Sequence, residues 1–168
     1  GMGEMAKYHF IAREDLAALD LASRIARSVE IKARIVEADE REGGERALLN
    51  YGHTMGHALE TLTDYRLAHG EAVALGLLFA AHLGRETGRI DDARVDEHYR
   101  VVHDVYGLSM SVPSGVGIDA LIDEMGRDKK ALASLTFVLD SNDGLQVVPG
   151  VPRDAITRAY EAFALRNP

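Results

Sequence analysis

A mostly α-helical domain with one small β-hairpin is the fold predicted by the 168-residue sequence. Three observations predict it. Apolar residues recur at helical spacing in successive segments, separated by charged or glycine-containing breaks. Two short apolar runs, residues 135–139 and 145–148, flank Asp140-Ser-Asn-Asp-Gly144 as the arms of a hairpin would. No glycine-rich turn joins a strand to a helix, so a dinucleotide-binding fingerprint is missing.

The elements follow in order. From Leu16 to Val36, Leu21, Ile25 and Val29 step by four and Val36 follows on the same face, which predicts a helix. Residues 39–46 form a charged break with a double-glycine turn. Ala47 to Leu62 reads as one further helix and carries His53 and His57. Gly70 to Ala81 is apolar nearly all round, as suits a buried central helix. Asp91 to Tyr106 is a more polar helix, and Ile118 to Met125 a short one after a loop with Pro and Gly. Leu135–Leu139 and Leu145–Val148 make the hairpin, and Pro152 to Leu165 closes the chain as a helix. Residues 1–168 read as a single domain, without repeats or linkers. Its abrupt start, Gly1-Met2-Gly3-Glu4, reads as a beginning inside something larger.

Composition narrows the function. An apolar fraction of 46% is ordinary for a globular chain. A net charge of −8 argues against nucleic acid or an anionic membrane as the main partner. There is no cysteine, which removes disulfides, thiolate catalysis and Cys-based zinc sites. Any metal is left to His, Asp and Glu. No apolar stretch has the length of a membrane span, so an intracellular, cytoplasmic protein is expected.

The chemistry concentrates around three of the seven histidines, His53, His57 and His69. His53 and His57 are four apart, so on a helix they share a face and can take a divalent cation. Thr54 stands where the helical zinc proteases place their general base, so protease chemistry is not supported. The glycines beside them, Gly52 and Gly56, point to close approach by a ligand or another backbone. His69 opens the buried helix, where free N–H groups gather. Arg46, Asn50, His53 and His57 form a polar stripe on the helix expected there. Glu60 and Asp64 read as solvated. Glu4 and Lys7 are three apart; by local pattern they form a surface ion pair at the chain's start, although a carboxylate would complete a Glu/His/His set. Arg127-Asp-Lys-Lys130 is a basic patch, open to phosphate or to solvent. His9, His82, His98 and His103 read as structural or exposed.

Together these segments resemble the dehydroquinate synthase family of sugar-phosphate cyclases. The resemblance rests on Gly3-Glu4-Met5-Ala6-Lys7-Tyr8, Lys32, Asp39-Glu40-Arg41-Glu42, the run from Arg46 through Asn50, His53 and His57 to Glu60, His69-Gly70-Glu71-Ala72-Val73, and Asp128-Lys129-Lys130. It implies an N-terminal NAD-binding domain, absent from this chain, and a helical C-terminal domain, which is what this chain matches. It implies conversion of the seven-carbon sugar phosphate DAHP into 3-dehydroquinate and phosphate. The steps are transient oxidation by NAD, phosphate elimination, reduction, ring opening and aldol closure. It assigns Glu4, His53 and His69 as ligands of Zn2+ or Co2+, and His57 to proton transfer rather than ligation. Lys7, Lys32, Arg46 and Asn50 match substrate-binding positions, with Lys7 and Glu42 in the catalytic network and Lys129 or Lys130 toward the phosphate. A homodimer is implied, and the chain alone is expected to be inactive for want of an NAD site. Three other readings compete: another sugar-phosphate cyclase, the metal domain of an alcohol dehydrogenase, and a non-catalytic helical module that binds a metal or a partner.

Overall fold

In the computed structural model, which describes residues 1–39, 44–127 and 134–167, helices are stacked around one buried helix. The chain opens on α1 (Met2–Ala12), makes a 3-10 turn at Leu16–Ala18 and continues into α2 (Leu21–Ala38). A 3-10 segment, Glu45–Asn50, precedes α3 (His53–Leu62), α4 (His69–Glu86) and α5 (Asp92–Tyr99). A π-helical stretch, Arg100–Val105, extends α5, and α6 (Ile118–Arg127) follows. The hairpin of β1 (Ser134–Leu139) and β2 (Gln146–Pro152) leads to α7 (Arg153–Arg166). The predicted class, mostly α with one hairpin, is the one observed.

α4 is the centre. Every residue from Ala72 to Gly84 is buried, and α1, α3, α5, α7 and β1 pack around it. That is the consequence of a sequence apolar on all sides, which no single face could bury. Fully burying one leucine such as Leu77 or Leu78 is worth about 1.5–3 kcal/mol. The hairpin is antiparallel, with Phe137 opposite Val148 and Leu139 opposite Gln146, and it shifts register between Leu135 and Phe137.

One expectation needs correction, and one element orients unexpectedly. Residues 47–62 are not one helix: the chain turns at Tyr51-Gly52, where Gly52 takes φ +79°, a left-handed conformation that suits glycine. A tight 3-10 segment comes before that turn and an α-helix after it, so Arg46 and Asn50 do not continue the face of His53 and His57. The stripe Leu21, Ile25 and Val29 does lie on a helix, capped by the Asp20 carboxylate accepting from Ser23 N at 2.9 Å. It does not face the core, however: these residues are 51%, 49% and 63% exposed. α2 docks instead through Ser28, Ile31 and Ile35, and the two isoleucines form a small second core with Tyr8 and Leu16.

Candidate metal centre

Three helices begin at one place. Glu4 lies in the first turn of α1, and His53 and His69 are the first residues of α3 and α4. Glycines make the convergence possible. A Cβ on Gly3 would lie 2.0 Å from the Gly70 carbonyl oxygen, and one on Gly76 would lie 1.8 Å from that of Gly52. Neither position accepts a side chain without backbone movement, so α1 rests directly on the start of α4, and the turn before His53 rests directly on α4. A Cβ on Gly56 would meet the Ala72 backbone at 3.3 Å, a tight contact rather than an overlap. The expectation of a close approach at Gly52 and Gly56 thus resolves in favour of another backbone.

The Glu4 carboxylate has two differently placed oxygens. Oε2 accepts from the Lys7 ammonium at 2.7 Å. Oε1 is buried and has no hydrogen-bond partner among the described residues. It lies 3.1 Å from His53 Nε2 and 3.6 Å from His69 Nε2. One donor atom from each of the three residues lies within 4.8 Å of the others. His53 Nδ1 is 3.1 Å from the Tyr51 carbonyl, to which it donates. With Nδ1–H so engaged, Nε2 faces a carboxylate oxygen that has only lone pairs to offer. A proton or a metal ion held between Nε2 and Oε1 would satisfy both. Around a tetrahedral zinc, N and O ligands stand about 3.4 Å apart, given bonds of about 2.0–2.2 Å. The observed separations bracket that value, so these residues fit a divalent cation.

Burial alone would raise the Glu4 carboxyl, but His53 and the Lys7 ammonium outweigh it and bring its pKa down to about 2. Lys7 is only 3% exposed, so it is no frayed surface partner, contrary to the local reading of this pair. Burial lowers its pKa, opposed by Glu4, and Nζ also donates to the Leu49 carbonyl at 2.8 Å.

His57 sits one turn beyond His53, with ring centroids 5.3 Å apart, and its ring is 6.0 Å from that of His69. His53 and His57 line an open cleft of about 680 Å³ with Asn50, Thr54, Thr136 and Arg127. Lys32 is exposed on α2 and lines the neighbouring groove with Glu4 and Tyr8. Arg46 is half-buried, and its backbone N–H donates to Asp39 at 3.3 Å. Glu42, Lys129 and Lys130 lie outside the described residues. Glu60, read as solvated from the sequence, points inward to His69. Its spacing, seven after His53 and three after His57, places it on their helical face without showing that α4 brings His69 to it.

Fold and site together define a helical domain in which a glutamate and two histidines converge closely enough to hold a metal ion, beside a cleft that His53 lines. Residues 1–131 match the family model described as 3-dehydroquinate synthase C-terminal, and the chain belongs to that family. A provisionally named aminodehydroquinate synthase from Amycolatopsis mediterranei (strain S699) is 48% identical over 157 residues, covering 94% of this chain and 44% of its own length. The 3-dehydroquinate synthase of Rhodococcus opacus (strain B4) is 43% identical over 185 residues, covering 98% of this chain and 48% of its own. A crystal structure of 2-deoxy-scyllo-inosose synthase, complexed with carbaglucose-6-phosphate, NAD+ and Co2+, superposes with a TM-score of 0.83 at 21% identity. It covers 96% of this chain and 50% of that one, and shows that the fold is shared. The chain spans about half the length of the curated relatives it matches. No helix among the described residues is long and apolar enough to cross a membrane.

Proposed function

We propose that this chain is the metal- and substrate-binding half of a 3-dehydroquinate synthase, which converts DAHP to 3-dehydroquinate and phosphate on the shikimate route to aromatic amino acids. The observation that carries the reading is the orphaned Glu4 Oε1 facing His53 and His69, in a chain of this family. Glu4, His53 and His69 would hold Zn2+ or Co2+, an ion that polarises hydroxyl and carbonyl oxygens during hydride exchange with NAD. Lys7 keeps the second Glu4 oxygen engaged, so Glu4 has a single oxygen to offer as a ligand. Lys7 also has a third N–H to offer a substrate hydroxyl. His57 is exposed beside the ligand set, where its ring can take a proton from a bound hydroxyl group and return it. Asn50 supplies an amide at the cleft, and Lys32 and Arg46 supply cations for the carboxylate and phosphate of the substrate. We assign Glu42, Lys129 and Lys130 to the same network on their motifs.

NAD binding we assign to the part of the longer relatives that this chain does not cover. A structural neighbour solved with NAD+, Co2+ and a sugar-phosphate analogue supports this. A cytoplasmic homodimer completes the reading. The amino analogue of dehydroquinate is a second candidate product. The alignment to the Amycolatopsis protein runs 157 residues, within the length of this chain, whereas that to the Rhodococcus enzyme runs 185 residues, beyond the chain's own 168. The former relative therefore matches with less inserted sequence.

Thermal unfolding of the zinc-loaded chain tests both. DAHP is expected to raise the midpoint by more than inorganic phosphate does, and His53→Ala is expected to abolish the difference. Equal shifts from DAHP and phosphate would count against the cyclase reading. A larger shift from the amino analogue of DAHP would move the assignment to the second product.

A further inference from the structure

We propose that Glu60 is a positioning residue that fixes the tautomer and the aim of His69 toward the metal. The inference rests on the metal reading above and gives a role to Glu60, which closes the histidine motif but to which the resemblance assigns none. The Glu60 side chain is 14% exposed, and both of its oxygens lie 3.2 Å from His69 Nδ1. On its other side, His69 Nε2 faces Glu4 Oε1 at 3.6 Å. The ring is thus held between two carboxylates with different tasks. An Nδ1–H that donates to Glu60 leaves the Nε2 lone pair for a cation and fixes the direction in which it points.

The two histidines are held in different ways. His53 donates to a backbone carbonyl that its own turn supplies. His69 is the first residue of α4, and Ala68 before it offers no side-chain cap. Its ring is 46% exposed, and a salt bridge that open contributes little to stability by itself. An acid drawn inward from α3 to such a ring, two turns beyond His53 on the same helix, earns its place by aiming the ring. His57, Glu60 and His69 also converge closely enough to form a cation site of their own, which makes stoichiometry part of the test.

The test uses the 168-residue chain and zinc alone, titrated in competition with a chromophoric chelator, with Co2+ absorption as a readout of coordination. The unaltered chain is expected to bind one zinc, and His53→Ala to lose it. Glu60→Ala is expected to bind 10- to 100-fold more weakly, with the metal-free unfolding midpoint unchanged. Glu60→Gln keeps the shape and an acceptor but removes the charge, and is expected to bind roughly tenfold more weakly. Unchanged affinity and an unchanged Co2+ spectrum in both Glu60 variants would overturn the role of Glu60 alone, as would two zincs per chain with Glu60 ligating the second. Should Glu60→Ala not fold, the glutamine variant decides in the same way. No zinc on the folded, unaltered chain would overturn the metal reading, and the role of Glu60 with it.

Discussion

Histidine does two kinds of work in this chain. His53, His57 and His69 gather where α3 and α4 begin, whereas His82 and His98 are sealed into the core. His98 accepts from the Tyr51 hydroxyl at 2.7 Å, donates to the Arg94 carbonyl at 2.7 Å and stacks on Phe10 at 3.8 Å. Burial pushes the pKa values of His98 and His82 down to about 4. In the unfolded chain they return to about 6.5. As pH falls, the unfolded state therefore binds protons first, so their contribution to stability is complete above about 6.5 and drains away toward 4. Chemical denaturation across that window is expected to show a loss of roughly 1.4 kcal/mol per pH unit for each histidine. A flat profile would show that these rings are not held neutral. At this level the sequence was informative where residues recur in a motif: His53, His57 and His69 stood out by spacing. Glu60 did not, because whether an acid on a helix meets water or a histidine is decided by the packing of a second helix.

Among the helices, the contacts that aim the ligands are made by residues with no side chain. Gly76→Ala would drive a Cβ into the Gly52 carbonyl, and Gly3→Ala would do the same at Gly70. Each is expected to destabilise the fold by about 1–3 kcal/mol, the cost of overpacking, and to weaken zinc binding as well. Gly117→Ala, with nothing within 4 Å of the added carbon, is the control expected to leave both unchanged. Urea midpoints and zinc titration of the three variants check this. The sequence showed α4 and the hairpin plainly, because an all-round apolar run and two runs around a turn have few alternatives. It did not show the break at Gly52. Ala47-Leu-Leu-Asn50 would sit comfortably in a helix, and only the demand of Gly76 for a close backbone contact turns the chain there. α1 was invisible as a buried element for the opposite reason: Glu4 and Lys7 look solvated until α4 is laid against them.

For the whole molecule, the stripe of Leu21, Ile25 and Val29 is the feature still in need of a partner. It lines a groove of about 530 Å³ with Met2, Met5 and Tyr8. Exposed apolar surface of this kind drives association. Light scattering is expected to show the 168-residue chain self-associating as its concentration rises, and Val29→Glu is expected to reduce this. A monodisperse monomer at high concentration would leave the stripe without that role. Periodicity revealed the stripe but not its orientation, since α2 has apolar residues on two adjacent faces and only one of them meets α1. The spacing of the three ligands along the chain has a kinetic consequence. His53 and His69 belong to neighbouring helices and can meet as soon as α3 folds back on α4, across a short loop that closes at little entropic cost. Glu4 joins only when α1 docks from far earlier in the chain, and contacts between distant segments form slowly. Cobalt added during refolding would therefore act as a clock: its spectrum should pass from a two-histidine to a three-ligand form, and the interval between the two times the arrival of the first helix.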